Sequence, residues 1–175
     1  MIQLYTGDGK GKTSAAIGAA IRAKGCGYKV IIVQLMKGGK SGEIEWLLTN
    51  SDIIIIRLDK QYGFSFELNA VEKAEMTTKH NNMLLSIIDS LSNIEGKYMI
   101  VLDEVASAME CELVDNGLIN KLCDIIDKRT DEIELIMTGR NFEKEIINRS
   151  DYVSEIKKIK HPYDKGIMSR RGIEY

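Results

Sequence analysis

Hydrophobic and polar positions divide the chain into two alternating kinds of segment. Short β-branched runs stand at "IQLYT" (2–6), "KVIIVQL" (29–35), "DIIIIRL" (52–58), "YMIVLDE" (98–104), "IELIMTG" (133–139) and "DYVSEIK" (151–157). Most are continuously apolar, as strands buried on both faces of a parallel sheet are. Between them lie stretches with helical spacing: "KTSAAIGAAIRAKG", "GEIEWLLTN", "FELNAVEKAEMTTKHNNMLLSIIDSLSN" and "DNGLINKLCDIIDKRT". Strands alternating with helices predict a doubly wound α/β domain, its sheet mainly parallel, with helices on both faces and right-handed crossovers. No repeat, linker or low-complexity tract interrupts the pattern, so 1–175 reads as a single domain. The one proline, Pro162, falls past the last strand.

Composition narrows the class. With 175 residues, 44% of them hydrophobic and 29% charged, the chain is long and apolar enough to bury a core unaided. A net charge of −2 gives no broad basic surface for nucleic acid. No apolar run approaches the roughly 18 residues of a membrane span. The first strand runs straight into a glycine loop, which leaves no basic-then-apolar export signal. A cytoplasmic protein without nucleic-acid or membrane partners is expected. Cys26, Cys111 and Cys123 show no C-x-x-C spacing and are expected as reduced, buried thiols. The two histidines form no metal cluster. His80 is expected to be solvated in a polar helical stretch, and Trp46 to lie in the core.

The chemistry concentrates in "YTGDGKGKTSAAIG". A strand ending at Thr6 and a helix starting near Lys12 bracket Gly7, Gly9 and Gly11, the context of a phosphate cradle. The glycines let backbone N–H groups approach phosphate oxygens, and the helix start adds about half a positive charge. Lys12 is expected to neutralise phosphate and the Thr13 hydroxyl to ligate Mg²⁺. The usual G-x-x-x-x-G-K-[ST] spacing asks for glycine at position 6, where this chain has Thr6. A second signal is "YMIVLDEVA", an apolar run ending in Asp103 and Glu104. Acids at the carboxyl end of a neighbouring parallel strand would face the loop across one crevice and hold Mg²⁺ directly or through water. Together these residues predict a P-loop NTPase-like fold that binds a magnesium nucleotide. They leave the reaction open among a small kinase or NTPase, a regulatory nucleotide-binding module and other chemistry. Arg140 in "MTGR" is a candidate for contacting nucleotide, although no arginine-rich kinase lid is visible.

In order along the chain, "YTGDGKGKTSAAIG", "VIIVQLMKGGKSGE", "YGFSFE", "VLDEV", "IMTGR" and "KHPYDKGIMSRRGIEY" resemble the P-loop-type ATP:corrinoid adenosyltransferases, the cob(I)alamin adenosyltransferases. That family's loop is itself T-G-x-G-K-G-K-T, so Thr6 is its ordinary form. The resemblance implies transfer of the 5′-deoxyadenosyl group of ATP to the Co(I) of a reduced corrinoid such as cobalamin, with release of triphosphate. The nucleotide would lie reversed in the loop, so that the ribose 5′-carbon points at the corrinoid. It implies a triphosphate cradle of Gly7, Asp8, Gly9, Lys10, Gly11, Lys12, Thr13 and Ser14, and Mg²⁺ on Thr13 and Glu104, with Asp103. Arg140 would reach nucleotide or corrinoid. Phe64 and Phe66 match the family's G-F-[ST]-W segment, whose aromatics displace the lower cobalt ligand; the second is phenylalanine here. The chain starts almost at the first strand, so the corrinoid site is expected to be more open or closed by a partner subunit. The C-terminal "KHPYDKGIMSRRGIEY" is expected to line or brace the site, and His161 to be structural. A homodimer and an electron donor such as a flavodoxin or flavin reductase complete the implied picture.

Overall fold

The computed structural model describes residues 1–63, 65–93 and 95–174. In chain order it contains β1 (Ile2–Thr6), α1 (Lys12–Gly25), β2 (Lys29–Gln34), α2 (Gly42–Asn50), β3 (Ile54–Arg57) and α3 (Ala70–Ser90). Then follow β4 (Tyr98–Asp103), α4 (Val105–Glu110), α5 (Asn116–Asp127), β5 (Ile133–Thr138), α6 (Lys144–Arg149) and β6 (Tyr152–Glu155). The strands form one sheet in the order β3-β2-β4-β5-β1-β6. Every neighbouring pair is parallel. This is the doubly wound α/β arrangement that the alternation predicted.

Because successive strand residues point to opposite faces, the sheet feeds two cores. On one face Val33, Ile100, Leu102, Leu135 and Met137 pack against Leu84 and Ile87 of α3 and Ile119 and Leu122 of α5. On the other, Val30, Ile32, Val101 and Ile136 meet Ala16 and Ala20 of α1 and Ile44 and Leu47 of α2. Helices therefore cover both faces, and the continuous apolar runs are explained. Among the described residues, no helix is long and apolar enough to cross a membrane.

Local signals set the boundaries. The long stretch from Phe66 begins its helix only at Ala70, because Asn69 builds a capping box. Its side chain accepts from the Val71 and Glu72 N–H groups while the Glu72 carboxylate accepts from Asn69 N–H. The six-residue helices α4 and α6 went unpredicted, since so few residues hold no readable period. The run at 52–58 supplies a strand only over Ile54–Arg57.

Three expectations need correction. Trp46 is 58% exposed: Ile44 and Leu47 take the inward positions of α2, and Trp46 falls outside them. Cys123 is buried as expected, but Cys111 is half-buried and Cys26 exposed. His80 is fully buried, not solvated. It shares a face of α3 with Met76 and Leu84, four residues away on either side, and all three are buried. Its Nε2 accepts the Met36 N–H at 3.1 Å, and its Nδ1 lies 2.8 Å from the Leu113 carbonyl. The two contacts together require the neutral ring with its proton on Nδ1. Burial lowers the pKa of His80, against the opposing Leu113 hydrogen bond.

Candidate functional site

The site is assembled at the carboxyl ends of the strands, where an open α/β sheet places its ligand crevice. After β1 the chain turns through Gly7 at φ 98° and Gly11 at φ 118°, both left-handed. Close approach is a second reason for glycine here. A Cβ on Gly7 or Gly9 would come within 2.4 or 2.7 Å of the Ile156 carbonyl oxygen, just past β6. That oxygen accepts the Gly9 N–H at 2.7 Å, and the Asp8 carboxylate accepts the Lys158 N–H at 3.0 Å. The segment after β6 thus lies directly on the loop, and the Gly9 N–H already has an acceptor. Gly11 offers α1 no side-chain cap, so the first N–H groups of that helix are without a side-chain acceptor.

Lys12 Nζ donates to the carbonyls of Gly7 (2.6 Å) and Gly9 (2.9 Å). Desolvation, and then the nearby Arg140 charge, lower its pKa. Lys10 Nζ reaches the Ile173 carbonyl at 2.8 Å and the Glu174 carboxylate at 3.3 Å. Behind the loop, the carboxylate of buried Asp103 collects four donors. Thr13 Oγ1 (2.8 Å) and Thr138 Oγ1 (2.7 Å) donate to Oδ1. Gln34 Nε2 (3.2 Å) and Lys37 Nζ (3.0 Å) donate to Oδ2. Lys37 Nζ also lies 3.4 Å from Thr13 Oγ1 and 3.7 Å from Glu104 Oε1. Burial pulls the Lys37 pKa down, but the Asp103 and Glu104 carboxylates and the Asp103 hydrogen bond hold it above its ordinary value. Glu104 sits at φ 61°, in the left-handed region that costs a non-glycine residue about 1–3 kcal/mol. Its N–H is held by Thr138 Oγ1 at 2.9 Å, and its Oε2 accepts from Ser107 Oγ at 2.9 Å.

The loop opens on one cleft of about 920 Å³. Asp8 to Ser14, Lys37, Glu104 and Arg140 line it, with His161 and Ile173 from the C-terminal segment. His161 Nδ1 accepts the Tyr163 N–H at 3.1 Å and so caps the turn Pro162–Lys165, a structural contact. Arg140 is exposed on the cleft wall and forms no ion pair among the described residues, so a structural surface salt bridge does not explain it. Phe66 is 81% exposed, which removes it from the core. Phe64 lies outside the described residues. Among the described residues no group of three or more His, Cys, Asp or Glu could hold a metal alone. One hydroxyl and two carboxylates instead suit Mg²⁺, which keeps several waters and shares its shell with substrate phosphates.

The family model described as "ATP:corrinoid adenosyltransferase BtuR/CobO/CobP" matches residues 1–175. The chain belongs to the ATP:corrinoid adenosyltransferase family. Corrinoid adenosyltransferase CobA of Salmonella typhimurium is 30% identical over 180 residues, covering 100% of this chain and 85% of that protein. The corrinoid adenosyltransferase of Escherichia coli K12 is 27% identical over 175 residues, with the same coverage. Among solved structures, EssC (ATPases 2 and 3) from Geobacillus thermodenitrificans aligns with 98% of this chain and 34% of its own. Its TM-score of 0.49 at 14% identity is too distant to add to the assignment. ATP-dependent adenosylation of a corrinoid is the activity of this adenosyltransferase.

The motifs named Lys12, Thr13 and Asp103, but not their partners. Gln34 and Lys37 lie inside "VIIVQLMKGGKSGE" and Thr138 inside "IMTGR", segments that carried the resemblance without assigning these side chains a role.

Proposed function

We propose that the loop from Gly7 to Ser14 grips the triphosphate of ATP as a leaving group, not as a phosphoryl donor. The ribose 5′-carbon faces the cobalt of a reduced corrinoid such as cobalamin. Co(I) attacks that carbon, the cobalt–carbon bond forms, and the carbon–oxygen bond breaks with its electron pair leaving on triphosphate. The supporting observation is the convergence of Lys12, Thr13, Glu104 and Arg140 on one cleft, with buried Asp103 behind Thr13, in a chain matched throughout by the family model.

Because the metal of the corrinoid is the nucleophile, the protein supplies position and charge. Lys10, Lys12 and Arg140 offset the charge growing on the departing triphosphate, and the loop N–H groups other than that of Gly9, with Ser14, orient it. Thr13 donates its hydroxyl hydrogen bond to Asp103, which leaves the oxygen lone pairs for a cation. Thr13 and Glu104 would hold Mg²⁺, and Asp103 would support it through Thr13. When bound, Mg²⁺ neutralises phosphate charge. Phe66, with Phe64 of the same motif, displaces the lower ligand of the corrinoid, and the exposure of Phe66 supports this. The enzyme acts in the cytoplasm, with an electron from a flavodoxin or flavin reductase. Exposed Ile159, Tyr163 and Met168 on the C-terminal segment support a homodimer.

A cobalamin absorbance assay tests the reading. With ATP, Mg²⁺ and cobalamin reduced to Co(I), the spectrum is expected to convert to that of the alkylated corrinoid. Nucleotide binding without that conversion would contradict it and favour a regulatory module.

A further inference from the structure

Lys37 belongs to no phosphate-binding motif, yet its ammonium lies at the centre of the acidic pocket. It is 3.0 Å from Asp103 Oδ2, 3.4 Å from Thr13 Oγ1 and 3.7 Å from Glu104 Oε1. Thr13 and Glu104 are the ligands assigned above to the divalent cation, and Asp103 is the carboxylate that supports them. The contact with Thr13 engages the hydroxyl oxygen, whose O–H donates its hydrogen bond to Asp103.

The backbone around Lys37 is fixed from several sides. Met36, at φ 62°, stands in the left-handed region, where a non-glycine residue persists only when its surroundings enforce it. Buried His80 supplies that enforcement by accepting the Met36 N–H. The Arg57 guanidinium holds the Gly39 carbonyl, and a Cβ on Gly38 would collide with the Lys60 carbonyl oxygen. The side chain is thus delivered to the pocket by a braced loop, from β2 on one side of β4.

We infer that Lys37 and the divalent cation exclude one another from this pocket. The ammonium is the built-in counter-charge of Asp103 and Glu104, and loading the cation with nucleotide displaces it. Two positive centres within bonding distance of the same oxygens repel strongly in a partly buried site. The displaced ammonium remains on the wall of the cleft that Lys10 and Lys12 also line. Lys37 thereby holds the pocket ready for a cation without letting it capture one before the nucleotide arrives. This rests on the proposed cation ligands.

The test is equilibrium binding of Mn²⁺ to the full chain without nucleotide, read from the electron paramagnetic resonance signal of the free ion. Lys37→Met, which leaves Asp103 its hydrogen bonds from Thr13, Thr138 and Gln34, is expected to bind Mn²⁺ at least about tenfold more tightly than wild type. Lys37→Arg keeps the charge and is expected to match wild type. Millimolar Mn²⁺ is expected to raise the melting temperature of Lys37→Met more than that of wild type. Lys37→Gln serves in the same comparison if Lys37→Met does not fold. Equal or weaker binding by the charge-removed variant, with binding still lost in Asp103→Asn, would overturn the inference and leave the cation site standing. Binding indifferent to Lys37 and Asp103 alike would overturn both.

Discussion

Asp103 owes its place to partners on three other elements, and only one of them was legible in the sequence. Thr13 was readable because the loop motif specifies a hydroxyl after the lysine. Thr138 and Gln34 were not, since one hydroxyl and one amide at strand ends have no pattern of their own. Thr138 both donates to Asp103 and accepts the Glu104 N–H. Thr138→Val, nearly isosteric, leaves that N–H without an acceptor, a loss of about 1–3 kcal/mol. For a chain of this size the melting temperature is expected to fall by roughly 2–4 °C per kcal/mol, while Thr138→Ser stays near wild type. Equal melts for the valine variant and wild type would contradict the role. Lys12→Ala removes a charge-assisted phosphate contact worth about 1.5–3 kcal/mol, so kcat/KM for ATP is expected to fall roughly 10- to 150-fold. Steady-state kinetics with pre-reduced corrinoid measures it, and unchanged kinetics would refute the loop assignment.

At the scale of elements, the C-terminal segment was legible as part of the site, but the contact of residues 156–158 with the loop was not. β6 is a fully exposed edge, and nothing local announced that the next residues lie on the phosphate loop. The glycines record that contact, but in a sequence they are indistinguishable from glycines chosen for positive φ. Gly9 and Gly18 separate the two cases. At Gly9 a Cβ would meet Ile156 and Lys157 backbone atoms at 2.7–2.8 Å, whereas at Gly18, inside α1, it meets nothing within 4 Å. Gly9→Ala is expected to destabilise by about 1–3 kcal/mol through overpacking. Gly18→Ala is expected to stabilise by about 0.4–1 kcal/mol, as alanine in a helix interior does. Denaturant midpoints for the pair check the opposite signs. The helices α1 and α2 were read to their ends because clear apolar periodicity and closing residues mark them. Within α2 the core positions belong to Ile44 and Leu47, which leaves Trp46 on the outer side of the helix.

Across the whole molecule, the fold class followed from alternation, but the strand order did not. β5 lies between β1 and β4, so the acids ending β4 are one strand removed from the loop strand and not on its immediate neighbour. Thr138, at the end of that intervening β5, bridges the gap. His80 ties α3 to the β2 loop and to Leu113, and it makes stability depend on pH. Its pKa is lowered in the fold. As pH falls through about 6.5, the unfolded chain takes up a proton that the folded chain refuses. Stability is therefore full above that value and declines below it, by up to about 1.4 kcal/mol per pH unit. Denaturant midpoints at pH 7.5, 6.5 and 5.5 are expected to show this slope in wild type and a flatter one in His80→Gln. Equal slopes would contradict the buried neutral ring.

The central claim is that a loop built to hold phosphate here holds a leaving group, and the phosphorus products of one reaction decide it. Phosphorus NMR of the purified enzyme with ATP, Mg²⁺ and cob(I)alamin is expected to show one intact triphosphate for each corrinoid alkylated. ADP and phosphate in its place would contradict the account and return the chain to phosphoryl transfer.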